Sequence, residues 1–153
     1  MEQDFCVDTS GPPLALAIEQ GVYLIKPNLR EMSELVGADL ESESDWLLRA
    51  RALLDKGKVE VIALSLGHIG ALIVTRNLAL RARALAVKPI SAVGAGDSFL
   101  GALLFGLASG ANFDDALRLS MAAGAAALMN QGTELCHTTD VYRLSAEVQI
   151  EPL

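Results

Sequence analysis

The sequence is poor in cysteine and aromatic residues, and it has no apolar run long enough to cross a membrane. Its two cysteines, Cys6 and Cys136, are interpreted as reduced, half-buried thiols of a cytosolic protein. The longest uncharged run, residues 98–113, is broken by glycines and has 16 residues, whereas a membrane helix needs about 20. No apolar targeting segment follows the acidic start at residues 1–4. These absences predict a cytoplasmic protein without a membrane partner.

Positive charge is also scarce, because 12 Lys and Arg residues stand against 19 Asp and Glu residues, for a net charge of −7. Such a surface repels phosphate backbones, so nucleic acid is not an expected partner. A small anion can still bind locally, through backbone N–H groups and one or two cations. With 153 residues, 52% of them hydrophobic, the chain is long enough to bury a sizeable core as one globular domain.

Several familiar site motifs are missing. A Walker A loop needs Ser or Thr after Gly-Lys, but the Gly-Lys pair at Gly57–Val59 continues with valine. A dinucleotide-binding fingerprint needs glycine three residues after Gly96, and that residue is Phe99. Cys136 and His137 have no second Cys/His pair at metal-ligand spacing, which argues against a zinc site.

The hydrophobic pattern alternates between strands and helices. Val59–Leu66 is nearly all apolar, as in a central parallel strand buried on both faces. This alternation predicts a layered α/β fold, with helices on both faces of a mostly parallel sheet, over a single domain of residues 1–153. The predicted strands are residues 5–8, 22–25, 59–66, 71–75 and 78–87. The first predicted helix begins after residue 10, and the other predicted helices span residues 31–36, 44–56, 97–109, 114–129 and 139–148.

The sharpest motif is Ser91–Ser98, which lies between a predicted strand and a long predicted helix. Gly94 and Gly96 let the backbone turn with its N–H groups outward, and the helix N-terminus adds unsatisfied amides, so the motif predicts an anion site. A carboxylate at Asp97 opposes a bound anion, which makes sense if Asp97 takes a proton from a hydroxyl that attacks a phosphate. A helix cap explains Asp97 equally well.

A second motif, Lys26–Glu31, follows the strand at residues 22–25. Open α/β sheets bind ligands at the carboxyl ends of their strands. Lys26 and Arg30 can meet phosphates there, while Asn28 and Glu31 can order Mg²⁺ through oxygen ligands and waters. The alternative is an ordinary strand-to-helix turn, with Asn28 as the cap and Glu31 in the first turn.

A third motif, Ser65–Gly70, follows the buried strand at residues 59–66. Gly67 and Gly70 permit close approach of a nucleotide, although the segment taken alone is only a turn. His68 within it fits an adenine contact or an exposed turn residue.

In order and spacing, these three motifs resemble those of the PfkB-type, ribokinase-like carbohydrate kinases. The ending Asn130–Cys136 is most similar to the 6-phosphofructokinase isozyme 2 branch. The resemblance implies a ribokinase-like three-layer α/β/α fold and ATP-dependent phosphorylation of a sugar phosphate. The branch favours fructose 6-phosphate, while tagatose 6-phosphate, fructose 1-phosphate and nucleosides stay open.

The resemblance also implies a role for each motif. Asp97 would be the catalytic base, and the backbone of Gly94, Ala95, Gly96 and Asp97 would form the anion hole. Asn28 and Glu31 would organise Mg²⁺ through water. The implied ATP-binding residues are Lys26, Asn28, Arg30, Ser65, Gly67, Gly70 and Ala125. Positions matching a monovalent-cation site, for an ion such as K⁺, are Ser91, Val93, Ala127, Asn130, Gly132 and Glu134, several of them acting through main-chain carbonyls.

The N-terminal half of that family has no counterpart in this sequence. The missing half carries an early Gly-Gly substrate motif, most sugar contacts and the lid used for dimerisation. We therefore expect the C-terminal half of a kinase: a fragment, a truncated gene product or half of a split protein, which forms a homo-oligomer or lacks its N-terminal half. A second hypothesis is a nucleotide-binding module without catalysis.

Overall fold

A computed structural model describes residues 4–153, in which strands and helices alternate as the hydrophobic pattern predicts. The strands are β1 (Cys6–Val7), β2 (Val22–Ile25), β3 (Val59–Ser65), β4 (Gly70–Val74), β5 (Ala79–Arg83) and β6 (Ile150–Pro152). The helices are α1 (Gly11–Gln20), α2 (Leu29–Val36), α3 (Glu43–Asp55), α4 (Ala95–Ala108), α5 (Phe113–Leu128) and α6 (Thr138–Ser145), with a 3₁₀ helix at Gly67–Ile69.

The strands form one sheet in the order β1-β2-β3-β4-β5-β6. Strands β1, β2 and β3 are parallel, with Val7 opposite Ile25 and Val22 opposite Val59. Strand β4 runs antiparallel to β3. The sheet is therefore mixed, and its parallel part brings the carboxyl ends of β1, β2 and β3 to one edge.

Contacts divide the chain into two compact units. The first unit comprises the residues up to Gly67, residues 71–80 and residues 152–153. In its core, α1, α2 and α3 contribute buried side chains such as Leu14, Met32 and Leu54, packed with Ile62 of β3. The apolar spacing along α1 and α3 puts one face of each helix against the core.

The second unit comprises residues 68–70 and 81–151. There α4 packs against α5, and α5 packs against α6. Small residues allow the close approach of α4 and α5, because a Cβ added at Gly106 would lie 3.2 Å from the Cα of Ala116. Near the other end of the pair, a Cβ added at Gly124 would lie 3.4 Å from the carbonyl oxygen of Ala95.

Several element boundaries differ from the predictions. Helix α4 begins at Ala95 rather than Asp97, since Gly94 is its N-cap in a left-handed conformation, with φ +82°. The strand predicted over residues 78–87 ends at Arg83, where the amide of Ala84 turns to the carbonyl of Ile69. The last helix ends at Ser145.

The short strand β6 was not predicted at all. Its pairing with β5 includes the amide of Leu153, which donates to the carbonyl of Ala79. Pro152 lies in this edge strand, where a missing N–H costs no ladder hydrogen bond. The assignment of residues 1–153 to one kinase half-domain stays a prediction. Among residues 4–153, no helix has both the length and the apolarity that crossing a bilayer requires.

Candidate active site

The predicted site residues fall into two groups, one in each compact unit. Lys26, Asn28, Arg30, Glu31, Ser65 and Gly67 belong to the first unit. Gly70, the turn Gly94–Asp97, Ala125 and the positions matching a cation site belong to the second.

The turn at Gly94 has the backbone of an anion site. The left-handed conformation of Gly94, with φ +82°, is one that glycine adopts at no steric cost. A Cβ there would meet nothing within 4 Å, so φ rather than lack of space favours glycine. The first intrahelical bond links the amide of Ser98 to the carbonyl of Gly94, at 2.9 Å. The amides of Ala95, Gly96 and Asp97 precede it and have no acceptor within the helix.

Asp97 is the third residue of α4 rather than its N-cap. Its side chain is exposed and, among residues 4–153, forms no hydrogen bond or ion pair. Asp97 therefore does not cap the helix, because the N-cap position belongs to Gly94 and no side chain forms a capping hydrogen bond there. A carboxylate in the first turn still interacts favourably with the helix dipole.

Ser98, the next residue, was not singled out in the sequence. It is 8% exposed, and its hydroxyl oxygen has no hydrogen-bond partner among the described residues. A buried hydroxyl without a partner is costly. Nothing in the sequence distinguishes this serine from one that bonds the preceding helical turn.

Three of the positions matching a cation site, Ser91, Val93 and Gly132, come together in the second unit. The hydroxyl of Ser91 donates to the carbonyl of Gly132 at 3.2 Å and accepts from the amide of Val93 at 3.3 Å. Asn130 follows α5, where its amide bonds the carbonyl of Ala127 at 3.2 Å. The backbone after α5 is thus folded toward the segment that precedes the Gly94 turn.

The other residues of this group are placed differently. The Glu134 Oε1 atom lies 3.4 Å from His137 Nε2, so one of the two carboxylate oxygens at this position is engaged. Ala125 and Ala127 are buried in α5. Burial leaves Ala125 a packing role in the second unit, and its predicted nucleotide contact stays a prediction.

In the first unit, Asn28 and Glu31 form a reciprocal capping box at the start of α2. The Asn28 Oδ1 atom accepts from the amide of Glu31 at 2.8 Å, and the Glu31 Oε2 atom accepts from the amide of Asn28 at 2.9 Å. The alternative of an ordinary capped turn is therefore present. It uses one carboxylate oxygen of Glu31 and leaves the other outside the box, so an oxygen ligand for Mg²⁺ is still available.

Ser65 lies beside Asn28 at the carboxyl ends of β2 and β3. The two residues form an isolated parallel bridge, and the Ser65 amide donates to the carbonyl of Pro27 at 2.9 Å. The two motifs that the sequence places 37 residues apart are thus neighbours at one edge of the sheet.

The glycines that follow Ser65 have different reasons to be glycine. Gly67 has φ +59° and open space around the position of a Cβ. Gly70 has φ +135°, and a Cβ there would lie 2.0 Å from the carbonyl oxygen of Ala82. The close approach at Gly70 is therefore to the protein's own backbone.

Both cations predicted at this edge are paired. The Lys26 Nζ atom lies 3.3 Å from Asp8 Oδ2, and the Lys26 side chain is 11% exposed. Arg30 is 85% exposed and lies 3.1 Å from Glu34, one helical turn away. Asp8 was missed in the sequence, although it follows β1 directly, just as Lys26 follows β2.

The cysteines are free and half-buried, as predicted. Burial raises the pKa of the Cys6 thiol, and the nearby Asp4 raises it further. No group of three or more His, Cys, Asp or Glu side chains able to hold a metal ion occurs within residues 4–153. An Mg²⁺ ion at Asn28 and Glu31 would therefore take most of its ligands from phosphates and water.

Residues 4–140 match the pfkB family of carbohydrate kinases. The chain belongs to this family. It is 41% identical over 146 residues to the ATP-dependent 6-phosphofructokinase isozyme 2 of Mycobacterium tuberculosis strain H37Rv, covering 95% of this chain and 42% of that protein. It is 32% identical over 145 residues to the 1-phosphofructokinase of Escherichia coli K12, covering 95% of this chain and 46% of that one.

Solved structures of pfkB-family relatives have the same fold. Phosphofructokinase-2 from Escherichia coli in complex with potassium aligns with a TM-score of 0.90 at 38% identity, over 94% of this chain and 47% of that one. The tetrameric inhibited form of that enzyme aligns with a TM-score of 0.86 at 35% identity, over 94% and 46%. The ribokinase of Arabidopsis thaliana, at 21% identity and a TM-score of 0.82 over 93% and 47%, confirms the ribokinase-like fold. The chain spans about half the length of the relatives it matches.

Proposed function

We propose that this chain is the nucleotide-binding and catalytic half of an ATP-dependent sugar-phosphate kinase. One observation carries the proposal. Asp97 presents an exposed carboxylate without a partner among the described residues, in a helical first turn whose amides have no acceptor within the helix. This pairing of a base with an anion hole suits phosphoryl transfer, in which proton removal and charge stabilisation are needed side by side.

In the proposed reaction, Asp97 takes the proton of the acceptor hydroxyl. The hydroxyl oxygen forms a bond to the γ-phosphorus of ATP, while the bond from that phosphorus to the β–γ bridging oxygen breaks and ADP leaves. The amides of Gly94–Asp97 stabilise the charge on the transferring group. Asn28 and Glu31 would hold Mg²⁺ through water, and the bound ion supplies neutralisation of phosphate charge.

A monovalent cation, K⁺ in particular, is proposed for the group around Ser91 and Gly132. A relative has been solved in complex with potassium, and the carbonyl-rich segment beside Ser91 offers the oxygen ligands that such an ion takes. Side chains of this group are already engaged, as shown by the hydrogen bond from Ser91 to Gly132. The proposed ligands are therefore mainly carbonyls.

The proposed substrate is fructose 6-phosphate, because relatives named 6-phosphofructokinase share 41% of their aligned residues with this chain. The alternative substrate is fructose 1-phosphate, because other relatives are named 1-phosphofructokinase. A non-catalytic nucleotide-binding module is the second candidate function, favoured by coverage of only 42% of such a relative. ATP binding with no turnover would favour the module.

The test introduces Asp97→Asn into a longer protein, in which this chain is joined to the additional region that its relatives have. We expect kcat with ATP and fructose 6-phosphate to fall by about 10²–10⁴, because the general base is lost. ATP affinity should change little, since Asp97 acts on the acceptor hydroxyl. A coupled assay of ADP release gives kcat, and calorimetry gives the Kd for ATP.

The matched control is Asp115→Asn. Asp115 is also an exposed aspartate at the third position of a helix in the same unit, here α5. Its replacement should leave kcat unchanged. Near-normal turnover by the Asp97→Asn protein would refute the assignment of Asp97 as the base.

A further inference from the structure

Asp8 and Lys26 form an ion pair at the carboxyl ends of two neighbouring parallel strands. Val7 and Ile25 are register partners in β1 and β2, and Asp8 and Lys26 each follow directly. The Lys26 Nζ atom lies 3.3 Å from Asp8 Oδ2, and the two side chains are 11% and 33% exposed. The backbone adds a bond between the same segments, from the amide of Lys26 to the carbonyl of Val7.

The helices that follow β1 and β2 begin with different residues, which affects what each N-terminus can offer to an anion. Helix α1 begins Gly11-Pro12-Pro13, and two of these residues have no N–H to donate. In the capping box at the start of α2, the Glu31 carboxylate accepts from the amide of Asn28, and the Asn28 side chain accepts from the amide of Glu31. The prolines of α1 and the capping box of α2 therefore reduce the number of amides that these helices can offer to a phosphate.

Of the two predicted cations at this edge, Lys26 is the one held in place. Arg30 is 85% exposed, and its pair with Glu34 is 50% exposed on the Glu34 side. Such exposed pairs are weak and do not fix a side chain. The Lys26 side chain is half-buried, and removing part of the water around an ammonium is costly unless a carboxylate compensates it.

We propose that Asp8 is a positioning residue for Lys26, holding its ammonium at the carboxyl edge of β1 and β2 to bind the phosphates of a nucleotide. The inference rests on the proposed function, since it assumes that this edge binds ATP. Lysine has a flexible stem and an ammonium that acts as a point charge. Without an acceptor at Asp8, the ammonium is no longer held at this edge, and the phosphates lose a preorganised partner.

The test measures nucleotide binding to the 153-residue chain by calorimetry, with Mg²⁺ and either ATP or adenosine. We expect Asp8→Ala to weaken ATP binding by about tenfold and adenosine binding by less than about twofold. Asp8→Asn should keep ATP affinity within about threefold, because its amide oxygen still accepts from the ammonium. In the double variant Asp8→Ala/Lys26→Met, ATP affinity should be no lower than in Lys26→Met alone, since the two residues act together.

Asp39→Ala removes the same charge from an exposed position of the first unit and should leave both affinities unchanged. Circular dichroism checks that each variant is folded. If Asp8→Ala is unfolded, the ATP affinities of Lys26→Met and Asp8→Asn are compared in its place. Unchanged ATP affinity in Asp8→Ala, or equal losses for ATP and adenosine, would overturn the positioning role alone. Absence of ATP binding by the unaltered chain would overturn the proposed nucleotide site and the positioning role with it.

Discussion

At the scale of single residues, Gly70 shows how a motif residue can be fixed by the protein's own backbone. The sequence assigns it to a nucleotide loop, and its backbone has φ +135°. A Cβ would lie 2.0 Å from the carbonyl oxygen of Ala82 and 3.0 Å from the amide nitrogen of Ala84. These atoms are backbone and cannot rotate away, so glycine is required whether or not a nucleotide binds.

We therefore predict that Gly70→Ala destabilises the chain by about 3 kcal/mol or more, through the steric overlap and the strained φ. The matched control is Gly67→Ala in the same segment, where φ is +59° and the space is open. It should cost only about 1–2 kcal/mol, the usual penalty for a left-handed non-glycine residue. Urea unfolding of both variants measures the difference, and equal losses would contradict the packing explanation.

Asp97 marks the limit of prediction from sequence at this scale. The motif alone leaves a base and a helix cap equally acceptable, because both put Asp near a helix start. The backbone removes only the N-cap role, since the helix begins two residues earlier and Gly94 occupies the N-cap, and the role of Asp97 as a base stays a prediction. At Asn28 and Glu31 the outcome is different, because the capping box is present and is compatible with a metal role.

At the scale of elements, two ion pairs between β5 and β6 share one carboxylate. Glu151 accepts a hydrogen bond from Arg81 and another from Arg83, at 2.8 Å for the latter. The bond from Arg81 and the charge of Arg83 lower the pKa of Glu151. The ionised carboxylate is thus favoured in the folded chain.

The sign of the pH dependence follows from this lowered pKa. The Glu151 contribution to stability is fully present above its unfolded pKa and is lost as pH falls through its folded pKa. Urea unfolding should therefore show Glu151→Gln to be less stable than the unaltered chain at pH 7, with the difference shrinking below about pH 4. Asp140→Asn, in the exposed pair with Arg143 on α6, is the comparison and should change stability little. A difference for Glu151→Gln that is independent of pH would refute the ionic explanation.

The same strands show why some elements escape sequence reasoning. Strands β2 and β3 and helices α1, α3 and α5 were predicted within about one residue, because each has an apolar face and a capping or turn residue at its ends. Strand β6 has three residues and ends in Pro152. Its strand conformation depends on β5, which supplies its hydrogen-bond partners and the two arginines that bind Glu151. The residues of β6 alone do not reveal these contacts.

At the scale of the whole molecule, the alignment with the 6-phosphofructokinase isozyme 2 of Mycobacterium tuberculosis spans 95% of this chain but only 42% of that protein. The sequence predicts the family correctly, because the three motifs that carry the resemblance lie within this chain. The catalytic chemistry stays a prediction, and so does the sugar, for which the sequence offers only the ending Asn130–Cys136. The charge of −7 and the exposed apolar side chains describe a surface with two opposing tendencies, repulsion and association.

Apolar side chains as large as phenylalanine and tyrosine are exposed on this chain. Phe105 on α4 is 67% exposed, and Leu135 and Tyr142 are 66% and 69% exposed. Where such residues form one contiguous patch, the patch marks a site of association. We therefore predict that the isolated chain self-associates, so that sedimentation gives a mass above 16.1 kDa that rises with concentration.

Added salt should promote this association, because it screens the repulsion between chains of charge −7 while leaving apolar contacts intact. Phe105→Gln should reduce the association, while Leu48→Gln, on α3 in the other unit and 63% exposed, tests whether any exposed apolar side chain suffices. Equal effects would mean a nonspecific process, and a larger effect at Phe105 would locate the contact on α4. A sedimentation mass of 16.1 kDa at every concentration and salt level would contradict the prediction. It would show that the chain stays monomeric despite its exposed apolar residues.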